Sequence, residues 1–115
     1  MFLSGCGGVL KERKLRSRGY RLMNKKRLKL KIHGEVQGVS FRYAVKQLAD
    51  SLGLSGWVRN SPDGSVEAVF EGGEAELGKM LEWCWQGPVG AKVVNIEEDW
   101  QDKLEDRYHG FEIRL

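Results

Sequence analysis

The chain is poor in the residues that build metal centres and disulfide frameworks. Its 115 residues include two cysteines, Cys6 and Cys84, and two histidines, His33 and His109. The cysteines lie far apart, so they read as reduced thiols of a cytoplasmic protein, and no Cys/His spacing suits a metal. No run approaches the ~20 apolar residues that cross a bilayer, which excludes a membrane-spanning helix. The opening MFLSGCGGVL is too short for a secretory signal. LSGC at residues 3–6 resembles a lipobox, but the ~7–15 apolar residues that precede a working one are missing.

What is present suits one compact domain. The length fits a single domain, and 41% hydrophobic residues, with four Trp and four Phe, suffice for one core. The net charge of +3 conceals an asymmetry. Residues 10–31 hold eleven of the nineteen Lys/Arg and one of the sixteen acids, so this stretch carries +10 and the remainder −7. A basic tail on an acidic domain suits nucleic acid or an anionic surface, or is a solvated extension. We read residues 1–26 as a flexible basic extension and 27–115 as the domain. Met23, followed by NKKRLKL, reads as an alternative start that would leave residues 1–22 outside the functional chain.

From Leu28 to about Val36, Leu28, Leu30 and Ile32 alternate with Lys29, Lys31 and His33, the period-two pattern of a half-buried strand. Phe41, Val45, Leu48, Ala49 and Leu52 recur at helical spacing, with Ser40 as the expected N-cap and Gly53 as the C′ residue. SGWVRN and residues 66–71 form a hairpin, because Pro62-Asp63-Gly64 between two apolar runs supplies turn chemistry. Glu74 to Gln86 reads as a second helix with Ala75, Leu77, Leu81 and Cys84 inward, stopped by Gly87-Pro88. Trp83 and Trp85 cannot both face inward from one helix. A strand from Lys92 to Glu98, a polar connection DWQDKLEDRYHG and a terminal strand FEIRL complete the chain. The order is β-α-β-β-α-β plus a C-terminal strand. It predicts an α+β fold with two helices on one face of an antiparallel sheet.

The stretch HGEVQGVSFR, residues 33–42, carries the first chemical signal. Gly34 and Gly38 loosen a loop that leaves a strand and enters a helix, so its amides can turn inward beside the free first-turn N–H groups. Such donors suit a phosphate, and Arg42 in the first turn adds a permanent charge in a fork that binds two oxygens. The glycines alone are equally those of a tight connection, and neither a Walker motif nor GxGxxG is present. Asn60, at the end of GWVRN, is a neutral amide that can hold a water without repelling a dianion. It also starts turns well.

VQGVSFR, then GWVRN with its Asn eighteen residues after the Arg, then PDGSVEAVFEG and the final FEIR together resemble the acylphosphatase family over residues 28–115. The resemblance implies a ferredoxin-like α/β sandwich. It implies hydrolysis of an acyl phosphate to a carboxylate and inorganic phosphate; no cofactor or metal is expected, since Arg42 and the loop amides can neutralise the phosphate. It assigns phosphate binding to Arg42, water orientation to Asn60, and a backbone cradle to Glu35, Val36, Gln37, Gly38, Val39, Ser40 and Phe41. Glu35 departs from the pattern, since a basic or neutral residue is common there, and it is expected to point to solvent. We expect a cytoplasmic monomer with no membrane association. The competing expectation is a non-catalytic ferredoxin-like module whose basic tail contacts nucleic acid. HGFEIR faintly resembles an RNA-binding motif, but it lies on the last strand and lacks the second aromatic. A carbamoyl-phosphate-handling domain, such as opens larger hydrogenase-maturation carbamoyltransferases, is a third reading that the chain is too short to support.

Overall fold

The computed structural model describes residues 25–102 and 105–115. The expectations for Cys6, LSGC and most of the basic extension lie outside these residues. Seven elements follow in order: β1 (Lys25–Glu35), α1 (Phe41–Leu52), β2 (Ser55–Asn60), β3 (Val66–Gly73), α2 (Glu74–Gln86), β4 (Lys92–Asp102) and β5 (Phe111–Arg114). They form a five-stranded sheet in the order β4-β1-β3-β2-β5, the expected α+β arrangement. The sheet is antiparallel except at one edge, where β5 runs parallel to β2. The final strand must enter there after the chain has crossed from the β4 edge, and this crossing sets its direction.

Period-two burial places Leu28, Leu30 and Ile32 of β1 against the helices, with Val66, Ala68 and Phe70 beside them on β3. From α1, Phe41, Val45 and Ala49 complete one side of this core. From α2, Leu77, Met80 and Cys84 complete the other, while Ala75 is exposed and Leu81 half-buried. The inward stripe of α2 is thus rotated from the expected one, with Met80 taking the place given to Ala75. Phe70 stacks on Phe111 at 5.3 Å, and Phe41 meets Trp83 edge-on at 5.6 Å. Of the two tryptophans on α2, Trp85 is the exposed one. Burial pushes the Cys84 thiol up to about 12, so it is a reduced, unreactive core residue.

Two strands are longer than their patterns suggest. β1 begins at Lys25, and β4 runs on through the polar stretch to Asp102 because the two ends pair with each other. Lys26 bonds Asp102 at 2.7 Å across this ladder. β4 is an edge strand, so polar residues are tolerated on both of its faces. The buried Arg27 donates to the buried Glu71 at 2.7 Å, and Glu71 also accepts the Arg107 amide. This ion pair ties the segment before β5 onto the sheet. Five of the eleven basic residues in 10–31 therefore belong to β1, and Lys26, Arg27 and Lys31 are each paired with a carboxylate. Among the described residues no helix is long and apolar enough to cross a membrane.

Gly34 and Gly38 both have positive φ but serve different ends. At Gly34 the ladder to β4 slips its register, and an added Cβ would fall 2.0 Å from the Lys92 carbonyl oxygen. At Gly38 a Cβ would meet nothing within 4 Å. Gly38→Ala should therefore cost only the left-handed penalty of about 1–2 kcal/mol. Gly34→Ala should cost about 3 kcal/mol or more, because a strand must move. Urea midpoints of the two variants, compared with the native protein, check this ranking.

Candidate active site

The loop between β1 and α1 lies at the sheet end where both β1 and β2 terminate, since each is antiparallel to the β3 strand between them. Positive φ recurs at Gly38 (78°) and Ser40 (61°), with residues 37 and 39 on the ordinary side. Alternation of hand along a loop turns successive amides toward one side and builds an anion-binding concavity. Ser40 is a departure from expectation. It occupies the N-cap position but in the left-handed conformation, and its side chain makes no capping bond. A β-region backbone is what lets a Ser hydroxyl reach the N2 or N3 amide, and a left-handed one turns it away. The first helical bond runs from the Ala44 amide to the Ser40 carbonyl. The amides of Phe41, Arg42 and Tyr43 have no acceptor within the helix, and the positive end of its dipole lies here.

The loop is anchored by its own glutamine. Gln37 Nε2 donates to the carbonyls of Ser61 and Ser65, each at 2.8 Å. Two carbonyl partners require the NH₂ end of the amide. The Ser61 amide also donates to the Ser65 carbonyl at 2.8 Å, so Gln37 grips a closed turn. Inside that turn Asp63 accepts from the Ser65 hydroxyl at 2.6 Å and the Ser65 amide at 3.0 Å, and pairs with Lys31 at 2.8 Å. The Lys31 hydrogen bond, followed by those from Ser65, holds the Asp63 carboxyl well below the usual carboxylate range.

A cavity of about 360 Å³ opens beside this loop, lined by Val36, Gly38, Ser40, Phe41, Arg42, Tyr43, Asn60 and Ile113. It brings together Arg42, Asn60 and four of the seven expected cradle residues. Glu35, Gln37 and Val39 do not line it. Glu35 is exposed at the end of β1, Gln37 points to the hairpin, and Val39 packs against the core. Among the described residues, neither Arg42 nor Asn60 has a side-chain hydrogen-bond or ion-pair partner. A larger depression of about 520 Å³ lies on the open face of the sheet. It is lined by Lys29, Lys31 and Arg59 but also by Glu67, Glu97, Glu98 and Asp99, and Lys31 and Arg59 are already paired with Asp63 and Glu67, both at 2.8 Å. The loop cavity, whose lining has no carboxylate, is therefore better suited to an incoming anion. No group of three metal-binding side chains occurs among the described residues.

The family model for acylphosphatase matches residues 28–113. This chain belongs to the acylphosphatase family. An acylphosphatase of Pelotomaculum thermopropionicum is 44% identical over 91 residues, which is 79% of this chain and 98% of that protein. The crystal structure of acylphosphatase from Bacillus subtilis superposes with a TM-score of 0.74 at 38% identity, covering 78% of this chain and 99% of that one. HypF of T. kodakarensis also matches, with a TM-score of 0.67 at 27% identity, but the match covers only 12% of that protein.

Tyr43 and Ile113 were not expected in the cavity. Tyr43 follows Arg42 on the exposed side of α1, and a signal for it was available in that adjacency. Ile113 arrives because β5 lies parallel to β2, which sets it opposite Val58, two residues before Asn60. No local pattern encodes that pairing. The turn chemistry predicts a pH dependence. A carboxyl whose folded pKa is depressed stabilises the fold above its unfolded value of about 3.9, and that contribution is lost as pH falls through the lower folded value. Asp63→Asn should be less stable than the native protein at pH 6, and the gap in urea midpoint should shrink below about pH 4.

Proposed function

We propose that this acylphosphatase hydrolyses acyl phosphates to a carboxylate and inorganic phosphate in the loop cavity, with Arg42 as the phosphate-binding residue and Asn60 as the residue that orients water. One observation carries the reading: a single cavity joins the left-handed loop, the first turn of α1, the Arg42 guanidinium and the Asn60 amide. The loop and first-turn amides, together with the Arg42 fork, bind the phosphoryl oxygens and spread their charge. Asn60 accepts a hydrogen bond from water and holds it in line with the acyl oxygen. Water attacks phosphorus, the bond from phosphorus to the acyl oxygen breaks, and a carboxylate leaves with the electron pair. A carboxylate needs little protonation to leave. The water's proton passes to a phosphoryl oxygen, so no His, Asp or Cys is required beside Arg42. Positioning and electrostatics supply the acceleration.

Arg42 and the amides provide the neutralisation that a metal provides in other phosphoryl-transfer sites, so turnover should persist in EDTA. The unit that acts is the domain that begins with β1 at Lys25, as a monomer in the cytoplasm. A nucleic-acid-binding role is not favoured, because Lys26, Arg27 and Lys31 of the basic stretch are paired with carboxylates of the domain.

Benzoyl phosphate hydrolysis at neutral pH with EDTA tests the assignment. Arg42→Ala and Asn60→Ala should each lower kcat/KM by at least about 100-fold while circular dichroism stays native. Arg42→Lys should lose a similar factor, because a point ammonium cannot replace a planar fork. Near-native turnover in Arg42→Lys would reduce Arg42 to a source of long-range field.

A further inference from the structure

Of the residues lining the loop cavity, phosphoryl binding and water positioning use Gly38, Ser40, Arg42 and Asn60. The rest of the lining is Val36, Phe41, Tyr43 and Ile113. Val36 and Phe41 are buried at 1% and 2% exposure and serve the core. Tyr43 and Ile113 do not, being 61% and 37% exposed. Single exposed apolar side chains are ordinary on a protein surface. Here two large ones, from α1 and from β5, border the same cavity as the Arg42 fork.

We infer that Tyr43 and Ile113 form the acyl-group subsite and make the enzyme selective for acyl phosphates with an apolar, above all aromatic, acyl group. The inference rests on the function proposed above. A substrate whose phosphoryl group lies in the loop must direct its acyl group toward the remaining walls. The exposed side chains on those walls are one aromatic ring, Tyr43, and one branched aliphatic, Ile113. An aromatic acyl group stacks on the Tyr43 ring and covers apolar area on Ile113 that is otherwise wet. Arg42 is the one cationic side chain among the described residues that line the cavity, and the phosphoryl group occupies it. An acyl group bearing its own carboxylate or phosphate therefore meets no second positive charge. A small acyl group such as acetyl gains neither contact.

The test compares benzoyl phosphate with acetyl phosphate on the full chain. Both substrates present the same phosphoryl group, and their different intrinsic lability cancels when the ratio of their kcat/KM values is compared between variant and native protein. Tyr43→Ala and Ile113→Ala should each lower the benzoyl-to-acetyl ratio by about tenfold, chiefly through the KM for benzoyl phosphate. Tyr43→Phe, which keeps the ring, should retain the native ratio. A ratio that stays native in both alanine variants, including equal losses on both substrates, overturns the inference while leaving the hydrolase reading intact. Failure of the native protein to hydrolyse either substrate overturns both.

Discussion

The Gln37 amide, donating both its hydrogens to the carbonyls of Ser61 and Ser65, is the interaction on which the site's geometry depends. Arg42 enters on a helix that follows β1, and Asn60 ends β2, with β3 lying between the two strands. Nothing in the sheet ladder itself couples the loop after β1 to the turn after β2. Gln37 makes that coupling across the start of β3. Both of its partners are buried residues of a closed turn. A loop with two left-handed residues has many alternatives open to it, and this clip selects the one that faces Asn60. A neutral amide does so without adding charge beside the proposed phosphate site.

The same logic of compensation runs through the rest of the molecule. The left-handed Ser40 forgoes a side-chain cap and leaves the first turn of α1 open to a ligand. Strain of this kind collects at functional sites when the surroundings over-determine it. Here the surroundings are Phe41, seated between the sheet and Trp83, and the Gln37 clip on the other side. At the opposite end of β1, the buried pair Arg27–Glu71 receives the Arg107 amide and so fixes the crossing that delivers β5. That crossing also brings Ile113, carried by β5, to the cavity.

Much of this was legible in the sequence because it is local. Period-two and period-3.6 burial, the PDG turn, the Gly53 cap and the VQGVSFR loop each lie within a dozen residues, and each has a physical cause that acts over that distance. The resemblance to the acylphosphatase family then joined Arg42 to Asn60. What could not be read was set by distant pairing. The extension of β4 through a polar stretch depends on the basic start of β1. The parallel placement of β5, the role of Gln37 as a clip and the arrival of Ile113 depend on which strands become neighbours. The charge asymmetry also looked different once folded, since part of the apparent tail is β1, an interior strand whose Lys26, Arg27 and Lys31 pair with carboxylates.

A titration of inorganic phosphate into the ¹⁵N-labelled protein, followed by amide chemical shifts, would locate the phosphate site and weigh the Gln37 clip. Saturable shifts should concentrate at residues 38–43 and at the Asn60 side chain. Gln37→Leu, while remaining folded, should bind phosphate at least about tenfold more weakly, since a lost clip returns the loop to its alternatives. Shifts centred on the open face of the sheet, or undiminished affinity in Gln37→Leu, would contradict this assignment of the site.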